Sequence, residues 1–323
     1  MPFLFNRPQI EHPDTWRTFC PHLTLTTEPN LTTESNLTTE PALTTATLCT
    51  ALTTEDSNHH KAQLIHDGYF AHPTFFSRPV VDRIATAIEQ ITEATGAAIW
   101  ALLYDDLWEM MYALHPCLTP LLGSRFQLLP DIWVWNLRPN GQDRGWSPHR
   151  DRERSSVPVG ELPRLLTVWI ALTDATPENG CIYVLPASFD PRYHHDGRPN
   201  EEISIPFQDI RALPASAGTA LGWSARLLHW GSRTSVWTQT PRISVAFEFQ
   251  SHDFSSGAPF VLPPTIPPFS LRLGLVARQL LQYRHFVHLT EEMESVCRYL
   301  ANKHLPQKRR FSDVLAKLFS KPS

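Results

Sequence analysis

The 323-residue chain is short of several things, and each shortage removes a class of protein. Charged residues make up only 19%, below the roughly one quarter typical of soluble domains. There is no basic excess: 28 Lys and Arg against 32 Asp and Glu leave a formal net charge of −4. That balance makes no electrostatic case for nucleic acid or an anionic membrane as a main partner. No apolar run approaches the roughly 20 residues needed to cross a bilayer. The opening MPFLFNRPQI has no charged segment followed by a sustained apolar stretch, so neither secretion nor membrane insertion is expected. Five cysteines, Cys20, Cys49, Cys117, Cys181 and Cys297, are odd in number and form no C-x-x-C pair. A reduced, cytoplasmic chain fits that usage.

Proline, by contrast, is plentiful and spread along the chain, 29 residues in all, which favours short strands and loops over long helices. Residues 1–60 read as a Thr-rich, low-complexity, flexible leader. LTTEPN, LTTESN and LTTEPA begin at Leu25, Leu31 and Leu37, and degenerate copies follow at Leu43 and Leu52. These are too few turns for a β-helix to bury a continuous core. The sequons at Asn30 and Asn36 mean little in a chain with no secretion signal.

From about His66 the pattern becomes globular. Ser77 precedes a helical stretch through Thr95, with Val80, Val81, Ile84, Ile88 and Ile91 on one face and Gly96 as a stop. A second helix is predicted over 105–114, turning Trp108 and Met111 inward. Strands are predicted over 126–137, 165–173, 181–185, 219–223 and 243–250. Helical patterns return over 271–283 and after Thr290, a good N-cap. The fold class is therefore mainly β, a sandwich or jelly roll with flanking helices. The doublets His59-His60, Asp105-Asp106 and Glu291-Glu292 read as exposed polar residues.

The most informative short motif is His149-Arg150-Asp151, with His229 and Arg242 downstream. On a strand, side chains alternate between faces, so His149 and Asp151 would point the same way. Two imidazoles and one carboxylate are the facial donor set of non-heme Fe(II) oxygenases. The motif alone is weak, because the same spacing recurs at His12-Pro13-Asp14 and His194-His195-Asp196. The first of those lies in a polar segment and the second in a Pro- and Gly-rich loop, so both read as ordinary surface. His149-Arg150-Asp151 differs in following the strand-like FQLLPDIWVWNL.

Several motifs in register then resemble one family, from about Ala62 to Gln250. HDGYF at 66–70, GWSPHRD, TVWIALTDATPENGCIYVLPAS, AGTALGWSARLLHWGS and PRISVAFEF are similar to segments of the phytanoyl-CoA dioxygenase family of Fe(II)/2-oxoglutarate oxygenases. The resemblance implies a double-stranded β-helix, a jelly-roll variant, over 61–262. A helical extension over 263–323 would pack on it and end in a basic tail. It implies Fe(II) held by His149, Asp151 and His229, with 2-oxoglutarate and O2 as cosubstrates and ascorbate as a possible reductant. Arg242 and Ser244 would grip the far carboxylate of 2-oxoglutarate, with Thr167 as a further contact, and HDGYF would open the first helical segment. The expected reaction is hydroxylation of a small or medium organic molecule, lipid-like, amino-acid-derived or natural-product-like, with release of succinate and CO2. Asp151 argues against halogenation, because chlorinating relatives lack that carboxylate.

Departures from the family pattern are equally specific. Pro186-Ala187-Ser188-Phe189 stands where the family has Pro-Gly-Ser-His, although that His is no metal ligand. The interval from His229 to Arg242 is about two residues longer than usual. An enlarged turn over 234–240 would absorb the difference, and Arg233 competes as the anchor. Trp146 and Trp230, which flank two of the proposed ligands in sequence, are expected to wall the iron. Asn136 would line the pocket or satisfy buried backbone. No basic groove for a CoA thioester is visible. An iron oxygenase of cupin type without 2-oxoglutarate, and a non-catalytic jelly-roll binding protein, remain the alternatives.

Overall fold

The computed structural model describes residues 6–28, 48–152, 157–195, 205–284, 286–287 and 289–306. Two antiparallel sheets form its centre. The chain enters through α1 (Arg7–Glu11), α2 (Pro13–Phe19) and α3 (Thr54–Asp67), then β1 (Tyr69–His72), α4 (Arg78–Thr95), α5 (Asp105–Ala113) and α6 (His115–Leu122). β2 (Gln127–Leu137), β3 (Leu165–Ala171), β4 (Ile182–Leu185), β5 (Arg211–Leu213), β6 (Ala220–Ser224), β7 (Leu228–Gly231) and β8 (Arg242–Gln250) follow, before α7 (Phe269–Gln282) and α8 (Glu291–His304). One sheet has the order β1-β6-β3-β8-β2 and the other β5-β4-β7. This is the expected sheet-rich jelly-roll core with flanking helices. No helix among the described residues is long and apolar enough to cross a membrane.

The larger sheet is covered on both faces, and every residue of β3 and β8 is buried. Its outer face, with Val168, Ile170, Val245, Phe247 and Phe249, joins a core built from the helices. The inner face, with Trp169, Leu221, Trp223 and Ala246, packs toward Ile182 and Val184 of the smaller sheet. Helix α4 shows why the outer packing works. Val80, Val81, Ile84, Ile88 and Ile91 recur at helical spacing and are all buried. Gly96 ends the helix at φ 75°, a left-handed conformation that costs glycine nothing. Truncating Ile84 to Ala would cost about 2–5 kcal/mol.

Three expectations change on contact with the fold. HDGYF does not open a helix: His66 lies in the last turn of α3, Gly68 caps it at φ 78°, and Tyr69 starts β1. Asp105 and Asp106 are not exposed but about 1% and 2% accessible. Their burial follows from what they hold, because both accept from the backbone of the N-terminal segment. Asp105 takes the N–H of Thr26 at 3.0 Å and Asp106 that of Thr24 at 2.8 Å. Arg272 Nη1 lies 2.5 Å from Asp105, and Arg83 Nη2 2.7 Å from Asp106. His60 is likewise buried, its Nε2 3.2 Å from His72 Nδ1.

The same contacts revise the leader. Trp16 is buried and stacks on Trp100 with ring centroids 5.3 Å apart. Thus α1, α2 and the following turn dock on the helical layer, and residues 54–60 belong to α3. The repeat units at Leu31, Leu37 and Leu43, with both sequons, lie outside the described residues, as do Asp196 and the basic tail from Lys308.

Candidate metal centre and its cavity

Of the strands and the one loop that frame the site, the loop is the least regular. Residues 144–149 do not form a strand, as expected for His149-Arg150-Asp151, but run beside β7 through isolated bridges, Arg144 with Arg233 and His149 with His229. The close approach depends on two glycines. A Cβ on Gly145 would sit 2.7 Å from Gly231 Cα, closer than carbon atoms pack. His149 and His229 then exchange both backbone hydrogen bonds at 3.0 Å, so their side chains project together from paired positions.

His149, Asp151 and His229 present one ligand atom each, all within 4.8 Å of one another. Asp151 Oδ1 lies 3.4 Å from His149 Nε2 and 3.6 Å from His229 Nε2. The other ring nitrogens are already engaged. His149 Nδ1 donates to Ser147 O at 2.8 Å and His229 Nδ1 to Leu227 O at 3.0 Å. Those bonds fix the tautomer and turn both Nε2 lone pairs inward, the second-shell arrangement of histidine metal ligands. Burial pulls the His229 pKa down to about 4, keeping the ring neutral. Burial would raise the Asp151 pKa, yet the neighbouring imidazoles of His229 and His149 and the Thr167 hydroxyl hold it well below the carboxylate range.

Asp151 has a division of labour between its oxygens. Oδ2 accepts from Thr167 Oγ1 at 2.7 Å and from Trp223 Nε1 at 3.1 Å, so Oδ1 is the oxygen left for a metal. Thr167, expected to touch 2-oxoglutarate, commits its hydroxyl to this carboxylate instead. Trp223 was not legible as a site residue. Register puts it opposite Thr167 on β6, the signal that a strand alignment would have supplied.

The triad lines a cavity of about 210 Å³ together with Arg242, Trp133, Trp135, Trp146, Trp169 and Tyr283. Arg242 is 1% exposed and donates from Nη1 to Ser244 Oγ at 2.7 Å. Its Nε has no partner, and among the described residues no carboxylate pairs with it. Trp169 and Trp135 place rings 5.7 and 6.0 Å from its guanidinium carbon. Burial pulls its pKa down to about 10, so it still carries charge at neutral pH. Arg233, the competing anchor, is exposed and does not line the cavity. The enlarged turn between them projects outward, with Val236 and Trp237 exposed.

The remaining expectations divide. Trp146 lines the cavity, its ring 5.9 Å from that of His149. Trp230 does not, because strand alternation turns it to the other face of β7, where it stacks on Tyr183. Asn136 is absent from this cavity, and its Oδ1 is buried without a partner. His12 and Asp14 form an exposed pair 3.8 Å apart, the surface reading given them. His194 Nδ1 bonds to Val157 O.

A jelly roll whose interior holds two imidazoles and a carboxylate on converging positions is the architecture of a mononuclear non-heme metal protein. Residues 100–236 match the sequence profile of the phytanoyl-CoA dioxygenase (PhyH) family. The resemblance read from the motifs is thus borne out over those residues. Arg242 falls beyond the matched stretch. An ectoine dioxygenase from Nocardia farcinica (strain IFM 10152) is 28% identical over 177 residues, 47% of this chain. The chain spans 59% of that curated relative's length. The solved structure of ThoJ, a non-heme monooxygenase in its apo form, aligns with a TM-score of 0.54 at 15% identity, covering 75% of this chain and 99% of that one. It shares the fold. SnoN, an epimerase from nogalamycin biosynthesis in complex with Fe3+, alpha ketoglutarate and nogalamycin RO, aligns with a TM-score of 0.49 at 20% identity over 62% of this chain and 85% of that one.

Proposed function

We propose that the chain is an Fe(II)/2-oxoglutarate-dependent oxygenase acting on a small or medium organic molecule, with succinate and CO2 as co-products. One observation carries this reading: a fully buried arginine without a carboxylate partner shares a cavity with a His-Asp-His group. An unpaired buried cation is costly to maintain, and its planar fork suits the two oxygens of a carboxylate. The donor set fits Fe(II), since both Nε2 atoms and Asp151 Oδ1 converge while their remaining polar atoms are engaged.

His149, Asp151 and His229 would hold the iron, and Arg242 with Ser244 would hold the far carboxylate of 2-oxoglutarate. Bound Fe(II) with 2-oxoglutarate and O2 supplies an oxidant able to take hydrogen from a C–H bond. Thr167 and Trp223 keep Asp151 oriented and ionised. Trp133, Trp135, Trp146 and Tyr283 exclude water from the reacting centre. In this reading residues 61–262 are the oxygenase domain and 263–323 an extension that brings Tyr283 to the cavity wall.

A cupin-type oxygenase without 2-oxoglutarate, or a binding protein with vestigial ligands, leaves the charge of Arg242 unexplained. The test is succinate formation on addition of Fe(II), ascorbate, 2-oxoglutarate and O2, with mass spectrometry for products gaining one oxygen. Turnover that is lost in Asp151→Ala supports the reading. Substrate oxidation that proceeds without 2-oxoglutarate overturns it.

A further inference from the structure

The cavity has a second polar wall that neither the triad nor Arg242 uses. Along β8 the inward residues are spaced two apart, so Glu248 stands six residues from Arg242, about 20 Å at the strand rise. Register sets Glu248 opposite Thr167, whose hydroxyl holds Asp151. A dicarboxylate reaching from the triad to Arg242 therefore leaves the Glu248 wall uncovered.

The charges on that wall are mutually cancelled. Arg152 Nη2 lies 2.6 Å from Glu248 Oε2 and 3.0 Å from Asp131 Oδ2, and Arg278 Nη2 lies 3.2 Å from Asp131 Oδ1. Arg150, the other arginine lining the cavity, lies 2.7 Å from Asp190. Two atoms stay unmatched: Glu248 Oε1 and Arg152 Nε are buried without hydrogen-bond partners. Glu248 itself is 4% exposed. A buried acceptor left unmade costs about 1–3 kcal/mol, more when charged, and a ligand that donates to it recovers that energy. Beside it stand Trp133 and Tyr283, ring centroids 4.0 Å apart and both lining the cavity.

We propose that the Glu248 end of the cavity binds the primary substrate, recognised as a small molecule that presents an O–H or N–H donor to Glu248 Oε1 and an apolar face to Trp133 and Tyr283. Anionic molecules, acyl-CoA thioesters among them, meet no unpaired cation there among the described residues, because Arg150 and Arg152 are already bound to carboxylates. The proposal rests on the oxygenase reading for the meaning of the site, but the binding is measurable without turnover.

The probes are benzylamine, benzyl alcohol, benzyl methyl ether and benzoate, titrated calorimetrically into Fe(II)-loaded protein under anaerobic conditions, with and without saturating 2-oxoglutarate. Burial raises the Glu248 carboxyl to about 8, so at neutral pH the amine and the alcohol should bind about fivefold more tightly than the ether, the worth of one ordinary hydrogen bond. Benzoate should bind only without 2-oxoglutarate, when Arg242 is open. In Glu248→Gln, which keeps the shape of the side chain, the preference for the amine should fall by up to about fivefold. Ether or benzoate matching the donors in the 2-oxoglutarate-loaded protein, no binding by any of the four, or an unchanged preference in Glu248→Gln would overturn the proposal. The wild-type ranking decides the matter even where the variant does not fold. Because amine and alcohol must exceed the ether with or without 2-oxoglutarate, failure here is separable from a failure to bind the cosubstrate.

Discussion

Two arginines in this molecule are equally buried and entirely different in their surroundings. Arg272 on α7 is 0% exposed and complete. It donates to Pro267 O at 2.6 Å, Leu103 O at 2.6 Å and Thr26 O at 3.1 Å, and meets Asp105 at 2.5 Å. Arg242 on β8 is 1% exposed and, among the described residues, hydrogen-bonds to Ser244 with no carboxylate partner. The first cation is part of how the N-terminal segment is fastened to the helical layer. The second is preserved at a cost to stability that a bound carboxylate would offset. Burial by itself therefore says nothing about role, and partner count separates a structural charge from a binding charge.

The largest effect should come from breaking the complete arginine. Arg272→Leu strands Asp105 in the interior, and loss of one partner of a buried ion pair costs about 3–5 kcal/mol. Chemical denaturation should show that loss or the variant should not accumulate as folded protein. Arg242→Leu should instead leave stability within about 1 kcal/mol of wild type, or raise it, since it removes a desolvated charge with no carboxylate partner. Equal destabilisation by the two variants would erase the contrast drawn between them.

A ligand should sharpen the same contrast. Saturating 2-oxoglutarate at about 100 times its Kd should stabilise the Fe(II) protein by about 2.7 kcal/mol and, at the same concentration, Arg242→Leu by only about 0.4 kcal/mol, read as Tm under anaerobic conditions. Smaller again is the effect of Thr167→Val, which removes one of two donors to Asp151 Oδ2. Iron affinity should fall about 10- to 100-fold, the usual cost of a lost outer-shell contact. An unchanged iron affinity would restore Thr167 to the cosubstrate side.

A further effect concerns pH. His60 is held neutral, its pKa pulled down to about 4 by burial and by His72. Because the folded value lies below the ordinary 6.5, the unfolded chain binds the proton first on acidification. Stability is fully present above about 6.5 and falls as pH drops toward 4. Metal-free protein should lose Tm through that window, and His60→Gln should flatten the slope.

Much of this was legible because it is local. The stripe of α4, its Gly96 stop and the Thr290 cap, whose hydroxyl accepts from Met293 N–H, depend on residues a few positions apart. The grouping of His149, Asp151 and His229 was readable because its spacing and flanking motifs are conspicuous. What escaped depends on partners distant in sequence. Asp105 and Asp106 look like surface acids until the N-terminal backbone arrives to be held. Thr167 could not be assigned to Asp151 without knowing that an irregular loop, not a strand, brings the carboxylate over β3. Trp230 was misplaced because adjacency to a ligand in sequence puts a strand residue on the opposite face. Burial, which spacing alone does not give, favours Arg242 over Arg233 as the proposed anchor.

The most direct test of Arg242 as the cosubstrate anchor is anaerobic calorimetric titration of 2-oxoglutarate into Fe(II)-loaded wild type, Arg242→Leu and Arg233→Leu. Arg242→Leu should weaken binding about 100-fold, close to 3 kcal/mol, while Arg233→Leu matches wild type. Weakened binding in Arg233→Leu with Arg242→Leu unaffected would contradict the assignment.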